Sequence, residues 1–228
     1  MTELLPLFLN LTGRDVVLVG GGPVATAKLR QLLAAGARVR VIAPRISGEI
    51  QSQPGVAIEQ RPFAPADLDG AWLVVAAATP EVNRHVAEVA ETLRLFVNAV
   101  DDPANATAFL SGVVRRDGVT VAISTSGAAP ALTALLREGL DALLPRDLAS
   151  WMWQARAARV AWRREGTLME GRKPRLLQAL NAIYDTAGTA ETAQPAEAAE
   201  RPGFQVSAIS TAERPRVPWL NGPEDSWL

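Results

Sequence analysis

The chain has 228 residues and a mass of 24.3 kDa, which allows one large domain or one domain with a smaller appendage. Because 48% of its residues are hydrophobic, it can bury a substantial core, and general disorder is excluded. The formal net charge of -1 gives no overall attraction to nucleic acid or to a membrane surface. With no cysteine and one histidine, disulfides, thiolate ligands and a multi-histidine metal centre are excluded, so we expect no metal site.

The N-terminal segment Met1–Leu9 is apolar, but it has no basic lead-in. A secretory signal needs such a basic lead-in, so we predict instead an edge strand that leads into the first core strand. No segment has the roughly 18 uninterrupted apolar residues of a membrane-spanning helix. We therefore expect a soluble, cytoplasmic protein with neither a membrane nor a nucleic-acid partner.

Strands and helices alternate in the first half of the chain. Short apolar runs rich in β-branched residues predict strands, and apolar residues at helical spacing predict the helices between them. The predicted strands are Asp15–Val19, Arg38–Ala43, Val56–Gln60, Trp72–Ala78 and Phe96–Val100. The predicted helices are Val24–Ala35 and Pro80 to about Leu93. This alternation predicts an α/β fold with a doubly wound, Rossmann-type parallel sheet.

The second half of the chain has a different character. A strand pair is predicted over Ala108–Val114 and Val119–Ser124, and only helices follow it. The predicted helices are Ala131–Leu144, Arg146–Glu165 and a third from Pro174 to about Tyr184. From Thr186 onward Ala, Thr, Glu and Pro dominate, which predicts a disordered tail.

A glycine-rich turn joins the first predicted strand to the first predicted helix. The run Gly20-Gly21-Gly22-Pro23-Val24-Ala25 fits the dinucleotide fingerprint G-x-G-x-x-A. Gly20 permits the tight turn, Gly22 lets a pyrophosphate approach the backbone, and Ala25 keeps the helix close to the strand. The helix N-terminus offers free N–H groups and a positive dipole end to the phosphates. Since the run follows a strand and opens a helix, it predicts a dinucleotide site.

The end of the second strand leaves the choice of cofactor open. An NAD-binding protein normally has an acidic residue there, which accepts hydrogen bonds from the ribose 2′-hydroxyl. This chain has Ala43-Pro44-Arg45 instead. Arg45 could accommodate the 2′-phosphate of NADP, or it could be a solvated loop residue, so these residues alone do not separate NAD from NADP.

Several separated motifs, in this order, resemble the siroheme synthase family. They are Leu5–Leu9, Gly20–Lys28, Asn98–Asp101, Ser124–Pro130 and Leu135–Glu138. The resemblance extends from about Leu4 to Leu180. Members of that family are precorrin-2 dehydrogenases that use NAD⁺, and many are also sirohydrochlorin ferrochelatases that insert ferrous iron. We expect this chain to lack the methyltransferase domain of longer relatives.

The resemblance implies roles for particular residues. Asp101 matches the family's active-site carboxylate, proposed to serve both dehydrogenation and iron insertion. By position, Pro23, Val24, Pro44 and Arg45 match the family's cofactor-contacting stretches, and with Gly20, Gly21 and Gly22 of the fingerprint they form the predicted cofactor site. Pro23 departs from the family pattern, which has an acidic or polar residue there, but proline suits the first position of a helix.

The resemblance also implies a homodimer and a division of the chain. We expect an NAD-binding Rossmann domain over residues 1–112 and a dimerisation segment over 113–145. A small helical domain is expected over 146–185, followed by the tail at 186–228. The tetrapyrrole precorrin-2 carries many carboxylates, so its site should be cationic. Between residues 147 and 180 there are seven basic residues against three acidic ones, and Arg156, Arg159 and Arg163 share one helix face.

Simpler interpretations remain for these residues. Asp101 and Asp102 could merely begin an Asp-Pro turn, although at a strand's carboxyl end Asp101 is well placed to act as a base. The three arginines could form a solvated helix face. For the whole chain, the alternatives are an NAD(H)-sensing module without catalysis and an ordinary small-substrate dehydrogenase. The latter usually has a recognisable catalytic Lys, Tyr or His, which is not apparent here.

Overall fold

The computed structural model describes residues 4–110 and 112–190, with side chains through Ile183, and divides the chain into two compact units. The first unit comprises the described residues up to Arg115 together with Thr120–Leu144. The second comprises Arg116–Val119 together with the described residues from Pro145 onward. The four functional segments predicted from the sequence stay predictions, and most of the predicted tail lies outside the described residues.

The first unit is built on a five-stranded parallel sheet with the strand order β3-β2-β1-β4-β5. Its strands are β1 (Asp15–Val19), β2 (Arg38–Ile42), β3 (Ala57–Glu59), β4 (Leu73–Ala76) and β5 (Phe96–Ala99). The helices are α1 (Pro23–Ala34), α2 (Gly48–Gln51) and α3 (Pro80–Thr92). The predicted α/β, Rossmann-type fold is therefore confirmed. In the register, Val19 aligns with Ile42 and Ala76, so the carboxyl ends of the strands meet at one edge.

Two hydrophobic clusters cover the two faces of this sheet. Successive side chains of a strand point to opposite faces, so a strand covered on both sides has to be apolar throughout. Leu18 packs with Leu29 of α1 in one cluster, and Val17 packs with Val86 of α3 in the other. This arrangement explains why β1 is a continuous apolar run rather than an alternating one.

The remaining elements are a hairpin and three helices. The hairpin strands β6 (Gly112–Arg116) and β7 (Val119–Ile123) pair only with each other among the described residues. The helices are α4 (Pro130–Leu143), α5 (Leu148–Glu165) and α6 (Arg172–Ala190). α5 is followed by Gly166, which adopts the left-handed conformation common just after helix C-termini. Among the described residues, no helix is both long and apolar enough to cross a membrane.

Three expectations from the sequence need correction. Leu4–Leu9 forms no strand and is exposed, because Pro6 lacks a backbone donor and the sheet edges are β3 and β5. The hairpin begins at Gly112 rather than Ala108, because the backbone N–H of Ala108 donates to the Val97 carbonyl beside β5. α6 continues to Ala190, so the first residues of the predicted disordered tail are helical.

Candidate functional site

The glycine turn lies at the carboxyl edge of the sheet, between β1 and α1. Gly20 has a φ of 132°, and a Cβ there would lie 2.2 Å from the carbonyl oxygen of Ala77. At Gly21 a Cβ would lie 2.0 Å from the carbonyl oxygen of Arg45. Any side chain at either position would therefore collide with the backbone of a neighbouring loop.

Gly22 differs from the two glycines before it. A Cβ there would meet no atom within 4 Å, so the backbone faces open space. Pro23 is the first residue of α1, as its fixed φ favours, and no side chain caps this helix end in the described part of the chain. Pro23 and Val24 are exposed. An uncapped helix N-terminus has free backbone N–H groups that can bind phosphate oxygens. Together with the open backbone at Gly22, it fits the pyrophosphate of a dinucleotide.

The loop after β2 is held against the glycine turn. The backbone N–H of Ser47 donates to the Gly21 carbonyl at 2.9 Å. The Ser47 hydroxyl lies 3.3 Å from that of Thr26 and accepts a hydrogen bond from the backbone N–H of Ile50. Pro44 and Arg45 of this loop are exposed. The structure thus brings both predicted cofactor-contacting stretches together at the sheet edge.

Asp101 lies two residues beyond β5, at the same edge. Its backbone is left-handed, with a φ of 57°, and its side chain is exposed. Asn83, which is buried on α3, holds the preceding peptide: its side-chain N–H donates to the Val100 carbonyl at 3.3 Å. The Asn83 side-chain oxygen accepts from the Ala78 backbone N–H at 2.9 Å. A strained residue over-determined by its surroundings is a common feature of functional sites.

Asp102 has a structural role beside it. Its carboxylate accepts a hydrogen bond of 2.7 Å from the Asn105 side chain, and its carbonyl accepts one from the Asn105 backbone N–H. These contacts close a short 3₁₀ turn at Pro103–Asn105. This geometry supports the assignment of Asp102 to the turn and leaves Asp101 as the candidate functional carboxylate.

A third motif approaches the same turn. Gly127 is left-handed, and a Cβ there would lie 3.0 Å from Cγ of Pro103. Its neighbour Ser126 is also left-handed, with a φ of 54°. The motifs at residues 98–101 and 124–130, which are well separated in the sequence, are therefore close together in the first unit.

Sequence reasoning missed Lys28 as a site residue. Its ammonium donates to the Leu110 carbonyl at 3.3 Å. Burial lowers the pKa of Lys28, and the Asp101 carboxylate acts in the opposite direction. Ser47 and Asn83 were missed as well. Ser47 had a detectable signal, because serine is a favoured helix N-cap and Glu49 follows in the first turn of α2.

The three predicted substrate-binding arginines lie on α5, in the second unit. Arg156, Arg159 and Arg163 are all exposed. Nη2 of Arg156 lies near the hairpin tip, 3.4 Å from where a Cβ on Gly118 would be. Asp101 and the dinucleotide turn belong to the first unit, so the predicted site residues are divided between the two units.

Among the described residues, no group of three His, Asp or Glu side chains is arranged to hold an ion. His85, on α3, is exposed and packs edge-on against Phe63, with 5.6 Å between the ring centroids.

Two family models match the chain. The NAD(P)-binding model matches residues 7–112, and the model of the sirohaem biosynthesis protein central region matches residues 116–143. Among curated relatives, siroheme synthase 2 of Aeromonas salmonicida is 47% identical over 149 residues, which are 64% of this chain and 31% of that protein. The siroheme synthase of Photorhabdus laumondii is 39% identical over 186 residues, which are 80% of this chain and 40% of that protein.

The chain thus spans only about a third of the length of the curated relatives it matches. Among solved structures, SirC, precorrin-2 dehydrogenase, matches with a TM-score of 0.58 and 24% identity. The match covers 77% of this chain and 88% of that one. At this identity the structural match shows a shared fold.

Proposed function

Because this chain belongs to the siroheme synthase family, we propose that it catalyses the NAD-dependent dehydrogenation of precorrin-2 to sirohydrochlorin. The observation that carries the proposal is the position of Asp101 at the sheet edge that holds the open glycine turn. In open α/β sheets, ligands bind outside the carboxyl ends of the strands. A cofactor on the turn and a substrate above Asp101 would then share one crevice.

The proposed mechanism divides the work between cofactor and protein. Bound NAD⁺ would supply the hydride acceptor for a reaction in which precorrin-2 loses a hydride and a proton to give sirohydrochlorin, NADH and H⁺. The glycine turn would hold the pyrophosphate through backbone N–H groups. Asp101 accepts the proton or balances positive charge that develops on the macrocycle. A positioned base of this kind accelerates a reaction by about 10²- to 10⁴-fold.

We choose NAD⁺ over NADP⁺ on the family relationship, since the loop after β2 carries no acid to mark the choice. Arg45 is exposed on that loop, and its backbone is fixed against Gly21. Calorimetric titration with each dinucleotide tests the choice. Tighter binding of NADP⁺, lost in Arg45→Ala, would assign Arg45 to the 2′-phosphate and overturn the preference for NAD⁺.

Arg156, Arg159 and Arg163 are proposed to bind the substrate's carboxylates. Their exposure on one face of α5 supports this proposal, and the planar guanidinium pairs bidentately with a carboxylate. Replacing all three with glutamine should raise KM for precorrin-2 and leave NAD⁺ affinity unchanged. An unchanged KM would show that these arginines form a solvated helix face and do not bind the substrate.

The chain is also proposed to be a homodimer. α4 has no buried residue among its 14, and four of its leucines are exposed. These are Leu132, Leu135, Leu136 and Leu143. An amphipathic helix whose apolar face is uncovered in one chain is well suited to a subunit interface.

Insertion of ferrous iron into sirohydrochlorin is a second proposal, supported by the family relationship. Asp101 would accept the pyrrole protons that the metal displaces. In this proposal the protein supplies the base, and Fe²⁺ is a substrate rather than a bound cofactor. Adding Fe²⁺ after dehydrogenation, and following sirohaem by its absorbance, tests this activity separately.

Anaerobic incubation with precorrin-2 and NAD⁺, following NADH formation, tests the main proposal. Repeated turnover with one NADH for each sirohydrochlorin is the expected result. Tight NAD⁺ binding without any turnover would favour the alternative, an NAD(H)-sensing module. Turnover of small hydroxy acids instead of precorrin-2 would favour an ordinary dehydrogenase.

A further inference from the structure

The segment after β5 is attached along the edge of that strand. The backbone N–H groups of Thr107 and Ala108 both donate to the Val97 carbonyl at 2.9 Å. The Val97 backbone N–H donates in turn to the Thr107 hydroxyl at 2.9 Å. The side-chain N–H of Asn98 donates to the Ala108 carbonyl at 2.9 Å. The chain therefore leaves β5 through Asp101 and returns to lie against the same strand.

Lys28 links this segment to α1. It lies in the second turn of that helix, and its ammonium donates to the Leu110 carbonyl at 3.3 Å. Leu110 and Val100 both pack against the cluster that contains Leu29 of α1. The second turn of α1, the end of β5 and the returning segment thus converge beside Asp101.

Two features of its surroundings act on the charge of Lys28: partial burial and the Asp101 carboxylate. The side chain is partly buried, and burial lowers the pKa of Lys28 because the charged form loses hydration. The Asp101 carboxylate is the charge that raises the pKa of Lys28 against this effect. A hydrogen bond to Leu110 alone would need only an N–H donor, whereas a partly desolvated ammonium also attracts a nearby carboxylate.

We propose that Lys28 is a positioning residue, whose ammonium orients the Asp101 carboxylate toward the substrate while it holds the Leu110 carbonyl. This rests on the proposed function of Asp101. The ammonium has three N–H donors, so it can bind the carbonyl and still attract the carboxylate. The Asp101 side chain is exposed, so attraction to the ammonium would favour the rotamers that bring the carboxylate nearer to Lys28.

Three substitutions separate the charge from the hydrogen bond. Lys28→Gln keeps an N–H donor for the Leu110 carbonyl but removes the charge. Lys28→Arg keeps the charge. Lys28→Gln should lower kcat for precorrin-2 by about tenfold with unchanged NAD⁺ affinity, and Lys28→Arg should stay within about twofold of wild type. In an Asp101→Asn background, Lys28→Gln should cost less than about twofold, because the carboxylate on which it acts is gone.

Two outcomes would overturn the proposal: wild-type kcat in Lys28→Gln, or an equal loss from Lys28→Gln in both backgrounds. If the wild-type chain does not oxidise precorrin-2, the proposed function fails, and the pairing is tested by stability instead. A double-mutant cycle of Lys28→Gln and Asp101→Asn should then show a coupling of at least about twofold in the unfolding equilibrium constant. Additive effects in that cycle would refute the pairing of Lys28 with Asp101.

Discussion

The three consecutive glycines of the turn after β1 are needed for different reasons. Gly20 has a left-handed backbone and faces the Ala77 carbonyl, and Gly21 lies under the Arg45 carbonyl. At both positions, backbone atoms of the protein itself leave no space for a side chain. Gly22 is unobstructed within the described structure, so its lack of a side chain leaves the backbone open to a ligand that approaches from outside.

Substitution of Gly22 tests the proposed cofactor site at this scale. Gly22→Asp should fold normally and lose at least about tenfold in NAD⁺ affinity, because a carboxylate would repel the pyrophosphate. Isothermal calorimetry measures the affinity, and a thermal melt checks folding. Gly22→Ala, which adds only a Cβ, is the matched control and should weaken binding less. Near-native NAD⁺ affinity in Gly22→Asp would show that the pyrophosphate does not bind at this turn.

Single residues show clearly what the sequence could and could not predict. The positions of the fingerprint glycines after β1 and of Asp101 after β5 were predictable, because their spacing relative to the strands is a local pattern, whereas their functional roles stay predictions. Asn83 and Lys28 were not, because each acts on a carbonyl that is distant in the sequence. Asn83 reaches the Val100 carbonyl and Lys28 reaches the Leu110 carbonyl. No local periodicity encodes such contacts.

At the scale of elements, the buried strands were the most predictable. A strand such as β1 is buried on both faces, so its apolar run and the glycine after it set its limits. β3 has only three residues, two of them exposed, and its limits were less well predicted. α2 is a four-residue helix and was missed, because it is too short to show a helical period.

Helix α4 provides a test of the proposed homodimer. Leu135 is 65% exposed in the single chain, so Leu135→Asp should not disturb its core. If α4 forms the subunit interface, burying that carboxylate without a partner would be costly, and the variant should be monomeric. Analytical ultracentrifugation distinguishes the two states. Leu5→Asp, at another exposed leucine, is the control and should stay dimeric; a dimeric Leu135→Asp would exclude α4 from the interface.

At the scale of the whole molecule, a network of charged side chains in the segment after β3 contributes to the stability of the first unit. The buried carboxylate of Asp67 accepts hydrogen bonds from Arg61 at 2.5 and 2.9 Å and from the Ala64 backbone N–H at 2.8 Å. The Arg61 hydrogen bonds lower the pKa of Asp67, although burial opposes them. A carboxylate with a lowered folded-state pKa stabilises the protein above its unfolded-state pKa of about 3.9.

Asp67→Asn should therefore lower the free energy of unfolding by about 2 kcal/mol at neutral pH. The difference from wild type should shrink as the pH falls through the folded-state pKa of Asp67, because wild type then also loses the charge. Urea unfolding at several pH values measures this. The control is Asp15→Asn, which breaks the exposed ion pair between Asp15 and Arg38. It should lower the free energy of unfolding by less than about 1 kcal/mol. A pH-independent difference at Asp67 would contradict the account.

The division into two units also bears on function. The dinucleotide turn and Asp101 belong to one unit, whereas the three arginines of α5 belong to the other. On the proposed function, cofactor binding depends on residues of the first unit. The sequence predicted helices after the sheet, but their packing depends on contacts that no local pattern specifies.

The most direct test compares two neighbouring aspartates in precorrin-2 oxidation. Asp101→Asn keeps the size of the side chain and removes its charge and its ability to take a proton. It should bind NAD⁺ normally and lose about 10²-fold or more in kcat. Asp102→Asn should remain near wild type, since the Asp102 side chain contacts Asn105 in the turn. Wild-type kcat in a folded Asp101→Asn variant would contradict the central claim and remove this carboxylate from the reaction.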